Sequence, residues 1–165
     1  MPKQKKEEKQ KPIEVTLWDA ANKLRGSVEP AEYKHVVLGL IFLKFASDKF
    51  EDHRAKLIAE GKEKYIEMAD FYNMNNVFFL EEHSRWSYLI KKSKQNDIAL
   101  LIDTALHTIE KNNKALKGAL PDNYFSRLGL DVIKLASLLD TINDIDTTKD
   151  PKQDVVGKVY EYFLS

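Results

Sequence analysis

EPAEYKHVVLGLIFLKFASDKFEDHRAKLIA, residues Glu29 to Ala59, decides the fold. Glu29 can cap a helix start, and Pro30 suits the first helical position, where its missing N–H costs nothing. From Val36 to Phe45 only Gly39 and Lys44 are not large and apolar. A helix that apolar on nearly every side is buried by its neighbours. At ~1.5 Å per residue the stretch reaches roughly 45 Å, about the width of a small domain. It reads as a central helix on which other helices pack. Its second half is amphipathic: Phe45, Phe50, Leu57 and Ile58 alternate with Lys49, Asp52, Arg54 and Lys56.

Outward from this helix the chain keeps helical spacing. Upstream, Leu17, Trp18, Ala21 and Leu24 form a stripe, with Thr16 as cap, Asp19 at the third position and Gly26 as stop. Trp18 is expected to pack on the central helix. Downstream, Gly61 breaks the pattern. Lys64–Asn73 predicts a short helix with Tyr65, Met68, Ala69 and Tyr72 inward, followed by an asparagine turn at Asn73, Asn75 and Asn76. Val77–Leu80 is β-prone but has no partner strand, so it predicts an isolated extended segment. Ser84 is the expected cap of the helix carrying Trp86, Leu89 and Ile90. Asn96–Asn112 is the cleanest amphipathic helix, capped by Asn96, with Ile98, Leu101, Ile102, Ala105, Leu106 and Ile109 on one stripe. Leu116–Leu130, with Gly118, Pro121 and Gly129, predicts an irregular connection. Asp131–Asp144 predicts a helix burying Val132, Leu135, Leu138, Leu139 and Ile142. A polar loop follows, and Asp154–Leu164 predicts a last helix. The fold class is therefore all-α: one irregular helical bundle, residues 13–165, behind a charged tail of residues 1–12.

Composition narrows the function. At 165 residues and 43% apolar, the chain suffices for one buried core. Lysine plus arginine equals aspartate plus glutamate at 26 each, and a dedicated non-specific nucleic-acid binder would be basic overall. Without cysteine there is no thiolate catalysis, disulfide or cysteine-based zinc site. The N-terminus lacks the apolar run of a signal peptide, and Val36–Leu43 is too short to span a bilayer. No membrane association and a cytoplasmic location are the plain expectation. In the tail, five lysines against Glu7 and Glu8 give +3. An arm touching nucleic acid is one reading; a solvated start is preferred, because such composition buries nothing.

No glycine-rich phosphate loop, nucleophile elbow or metal-spaced histidine pair occurs. His35 and His53 read as surface residues. Asp144, Asp146 and Asp150 suggest a calcium loop, but Lys149 stands where glycine is needed and Val155 where the closing glutamate belongs. Charge is uneven. Arg85–Lys117 holds seven basic and three acidic residues; Asp131–Asp154 holds three basic and six acidic. Lys91, Lys92 and Lys94 sit at one helix end, and Lys111, Lys114 and Lys117 at the next. If both ends share a face, these lysines can meet phosphates. Lysines also simply favour helix C-termini.

Four strings, in order, resemble the N-terminal helical domain of the modification subunit of type I restriction–modification DNA methyltransferases. They are Leu17-Trp18 through Arg25 with Tyr33-Lys34 and Val37–Phe45; Arg85-Trp86-Ser87-Tyr88-Leu89; Leu116-Lys117-Gly118-Ala119-Leu120-Pro121; and Asp154–Leu164. The resemblance covers nearly all the chain beyond the tail. It implies a parent that transfers methyl from S-adenosylmethionine to adenine N6 in double-stranded DNA. It also implies assembly with a specificity subunit, a second modification subunit and a restriction subunit. The family's helical domain precedes a Rossmann-like catalytic domain and helps close the complex round DNA. The family's glycine-containing cofactor loop and Asn-Pro-Pro-aromatic tetrapeptide are absent from this sequence, so no catalytic or cofactor residue carries over, and the chain reads as a truncated piece or a short product. The expected working surfaces are the six lysines and, towards the catalytic part, Tyr160, Tyr162 and Phe163. The alternative is a free-standing helical protein-interaction adaptor that leaves DNA alone.

Overall fold

The computed structural model describes residues 15, 17–19, 22–24, 30–118, 120, 123–145 and 147. The tail, the caps Thr16 and Glu29, Gly26, Pro121 and the last helix with Tyr160, Tyr162 and Phe163 lie outside the described residues.

Helix α1 runs Pro30–Ala59. Val36, Val37, Leu40, Ile41 and Leu43 are wholly buried, as their all-round apolar pattern demands. Lys44 is buried too, and is accommodated by Asp48 one turn on, at 2.8 Å. The helix ends as a Schellman motif. Gly61, at φ +76°, donates to the Ile58 carbonyl, and Lys62 donates to Leu57.

Four-residue α2 spans Asp70–Asn73, α3 Trp86–Lys91, α4 Ile98–Asn112, α5 Tyr124–Arg127 and α6 Val132–Asn143. Short 3₁₀ turns at Asn22–Leu24, Glu63–Tyr65, Glu82–Ser84 and Lys114–Leu116 join them. The described residues contain no strand, so the fold is all-α. The long helix α1 supplies more of the described core than any other element, and α4 forms a second packing centre. Helix α1 packs against α3, α6 and the Glu63–Tyr65 turn; α4 packs against α3, α5 and the flanking 3₁₀ turns. Trp18 is half-buried against the core, and the Asn22–Leu24 turn seats on α6.

Several local expectations change. Lys64–Asn73 is not one helix but a 3₁₀ turn and then α2. Tyr65 stacks on Phe71 at 4.2 Å. Six positions apart on a helix point about 240° from each other, so that stack requires the chain to break. Tyr72 still turns inward and stacks on Phe50 at 4.8 Å, but Met68, expected inward, is 48% exposed. His53, expected on the surface, is half-buried, with Nε2 2.9 Å from the Phe71 carbonyl. Ser84 does not cap α3: its hydroxyl donates to the Ala105 carbonyl. The first N–H of α3, on Trp86, goes instead to Ser47 Oγ of α1 at 2.8 Å. Asn96 does not cap α4 either; Ile98 N–H bonds the Gln95 carbonyl in the preceding turn. Val132 is only half-buried. The Leu116–Leu130 connection contains α5, whose Phe125 is fully buried.

Candidate nucleic-acid interface

The surroundings of α4 follow from how its neighbours are threaded. Residues 79 to 84 run antiparallel to its second half. Phe79 meets Asn113, Glu81 meets Asn112, His83 meets Thr108, and Ser84 meets Ala105. This explains why Val77–Leu80 can be extended without a sheet. Buried backbone groups need partners, and Asn113 supplies them. Its Oδ1 accepts from Phe79 N–H at 3.0 Å, and its Nδ2 donates to the Phe79 carbonyl at 3.0 Å, as a paired strand would. The same amide donates to Ile109 and accepts from Asn73.

A second buried polar group sits on the same helix. Asp103, 4% exposed, accepts from the backbone N–H groups of Phe125 and Ser126 at 2.9 and 2.8 Å and from the Ser126 hydroxyl at 2.6 Å. It holds the start of α5 from across the bundle. Gly39 of α1 lies beneath: a Cβ there would come within 3.1 Å of the Phe125 ring. Sequence reading missed Asp103 and Asn113. The available signal was a charge beside the apolar stripe of α4 and an asparagine directly after it.

The lysines surround this satisfied interior. Lys91, Lys94, Lys111, Lys114 and Lys117 are exposed; Lys92 is half-buried, with its ammonium 5.4 Å from the Tyr88 ring centroid. None of the six forms an ion pair with another described residue. The two trios do not converge at one point. Lys91, Lys92 and Lys94 precede α4, whereas Lys111 lies in its last turn and Lys114 and Lys117 follow it, so the trios stand at opposite ends of a fifteen-residue helix that is roughly 22 Å long at ~1.5 Å per residue. Lys114 also edges an open cavity of about 610 Å³ between α2, Val77-Phe78 and Asn112-Asn113.

The opposite charge gathers between α1 and the end of α6. A cleft of about 330 Å³ there is lined by Asp48, Glu51, Asp52 and Asp144 together with Lys44 and Asn143. Asp48 is already engaged by Lys44 and by the Thr147 hydroxyl, at 2.6 Å. Of the rejected calcium loop, only Asp144 falls within the described residues. Among those residues no group of His, Asp or Glu could hold a metal ion, and no helix is long and apolar enough to cross a membrane.

The arrangement defines a class: a helical domain whose buried polar groups brace its own backbone and whose free charges lie on the surface. The family model for the HsdM N-terminal domain matches residues 13–144, and this chain belongs to that family, the N-terminal domain of type I methylase subunits. It is 34% identical to the type I restriction enzyme MjaIX methylase subunit of Methanocaldococcus jannaschii, over 92% of this chain and 30% of that protein. It is 22% identical to the MpnII methylase subunit of Mycoplasma pneumoniae, over 98% of this chain and 36% of that protein. The chain thus spans about a third of the length of these relatives.

Proposed function

We propose that this chain is the assembly and DNA-clamping domain of a type I restriction–modification adenine-N6 methyltransferase subunit, and that it supports the complex rather than carrying the methyl transfer. The observation behind the DNA part is the set of cations flanking α4, none of them in an ion pair with another described residue. A duplex presents a phosphate every ~3.4 Å along each strand, so lysines at opposite ends of a helix roughly 22 Å long can each meet a different stretch of backbone. Such contacts fix register and strengthen binding without reading sequence. The partners are a specificity subunit, which selects the target site, a second modification subunit and a restriction subunit. S-adenosylmethionine belongs to the parent's catalytic part, because flipping and methylating a base needs a pocket made for it.

The test removes residues 1–165 from an assembled methylase complex. The complex should lose stability; an unchanged complex contradicts the assembly role. Purified 1–165 should neither bind S-adenosylmethionine nor methylate adenine, and measurable transfer would sink the non-catalytic reading. The adaptor reading is favoured by the zero net charge. It requires that the assembled complex bind duplex with the same salt dependence whether or not the lysines are present.

A further inference from the structure

The open cavity beside Lys114, about 610 Å³, falls in the size range of small-molecule sites, roughly 300–1,000 Å³. One of its walls is fixed. Asn113 is buried, and both its amide donors and its oxygen are taken up by Phe79, Ile109 and Asn73. Val77 and Phe78 add an apolar surface beside it. Asn76, which also lines the cavity, is held in the left-handed region at φ +62°, with its N–H bonded to the Asn73 carbonyl. Asparagine is one of the few side chains that adopts this conformation readily. The Asn76 carboxamide makes no hydrogen bond to another described residue. Acceptors predominate around it. Asn73 and Asn112 are engaged only through Nδ2, so their oxygens are open, and Asp70 forms no ion pair with a described residue. On the other side of the balance stands the ammonium of Lys114, likewise without an ion pair.

These groups select an occupant. A peptide that adds itself as a strand needs open backbone groups, and those beside Asn113 are closed. Val77 N–H goes to the Tyr72 carbonyl, the Val77 carbonyl accepts from Asn73, and both backbone groups of Phe79 are held by Asn113. A simple cation would meet Lys114, and a simple anion would meet Asp70. A nucleotide suits both, because its charge and its base lie at different ends. A carboxamide sets a donor and an acceptor side by side, the pattern that reads a base edge, and a carboxylate accepts from an exocyclic amino group. The open oxygens of Asn73, Asn112 and Asp70 therefore favour a base that carries such an amino group.

We infer that this cavity is a nucleotide site, which takes an amino-bearing base on Asn76, Asn112 and Asp70 and the attached phosphate on Lys114. The site does not rest on the DNA-clamping role, because a free nucleotide and an unstacked nucleotide of a strand present the same chemistry. The full chain, labelled with nitrogen-15, is titrated into the millimolar range with adenosine monophosphate, thymidine monophosphate, ribose 5-phosphate, trideoxyadenylate and acetyl-Val-Lys-Val-amide. The side-chain amide signals of Asn76 and Asn112 should move saturably with an adenine probe. Thymidine monophosphate should bind roughly tenfold more weakly, and ribose phosphate should leave both signals in place. Movement with adenosine monophosphate shows that a free nucleotide suffices; movement with trideoxyadenylate alone assigns the site to a strand. Asn76→Gly keeps the left-handed turn, which glycine adopts freely, but loses the carboxamide, so it should weaken adenine binding roughly tenfold. Circular dichroism checks that the variant keeps the helical fold, and the unmodified chain carries the main readout regardless. No movement with either adenine probe, equal affinity for adenosine and thymidine monophosphate, movement with ribose phosphate or the peptide in place of the nucleotide, or unchanged adenine binding in Asn76→Gly would each overturn the assignment.

Discussion

Along α4 and its C-cap, buried and exposed polar side chains are used in opposite ways. Asp103 inside the helix and Asn113 directly after it are buried and fully engaged, each holding backbone from a distant part of the chain. At the ends, five lysines are exposed and none pairs with another described residue. The buried groups stabilise the fold, because removing one strands its partners away from water. The exposed ones contribute little to the fold and leave their charge available to a partner. Substitution should therefore separate two phenotypes: instability without loss of charge, and loss of charge without instability.

The sharpest break of this contrast is Asn113→Ala. It leaves Phe79 N–H and C=O buried without partners and should cost about 3 kcal/mol. In thermal unfolding followed by circular dichroism, Tm should fall by roughly 10 °C. A fall of a degree or two would mean that water replaces the amide. Asp103→Ala removes the acceptor for two N–H groups and a hydroxyl at the start of α5 and should cost about 2 kcal/mol. Gly39→Ala sharpens the same point through packing. Better helix propensity is worth about 1 kcal/mol, overpacking Phe125 costs about 1–3 kcal/mol, and the net is a loss of around 1 kcal/mol. Because Asp103 fixes Phe125, that loss should shrink when Asp103 is also alanine; strict additivity would contradict the link.

At the small end, changing Lys91, Lys94, Lys111, Lys114 and Lys117 to Ala should alter stability by no more than about 0.5 kcal/mol. Tyr124 offers a separate pH test. Burial, and then its hydrogen bond to Glu32, push its hydroxyl above the ordinary value of 10.0. The folded chain thus keeps that proton when the unfolded chain has lost it. The stabilisation is complete below pH 10 and fades as pH rises beyond. Tyr124→Phe should flatten the alkaline fall in Tm, and an unchanged profile would mean that Tyr124 titrates alike in the folded and unfolded chain.

The parts of this fold that could be read in advance are those written in local spacing. The run Val36–Phe45 specifies a buried helix by itself. The stripe from Ile98 to Ile109 specifies α4, and Leu135, Leu138, Leu139 and Ile142 specify α6. The parts that escaped depend on partners far along the chain. Asn113 meets Phe79 across 34 positions, and Ser47 receives the Trp86 N–H across 39. Ser84 and Asn96 have the residue types of helix caps, yet tertiary contacts or a preceding turn satisfy those helix starts. Met68 fits a helical stripe that the Tyr65–Phe71 stack prevents from forming. The lysines at the ends of α4 were legible as charge, but their separation was not, since it depends on how α3 is threaded beside α4.

The most direct measurement is the salt dependence of duplex binding by an assembled methylase complex that contains this domain, with and without those five lysines. If the lysines lie on phosphates, the slope of log K against log salt becomes shallower by about 0.9 for each phosphate that is no longer neutralised, while thermal stability holds. An identical slope in the two complexes would contradict the DNA-clamping role.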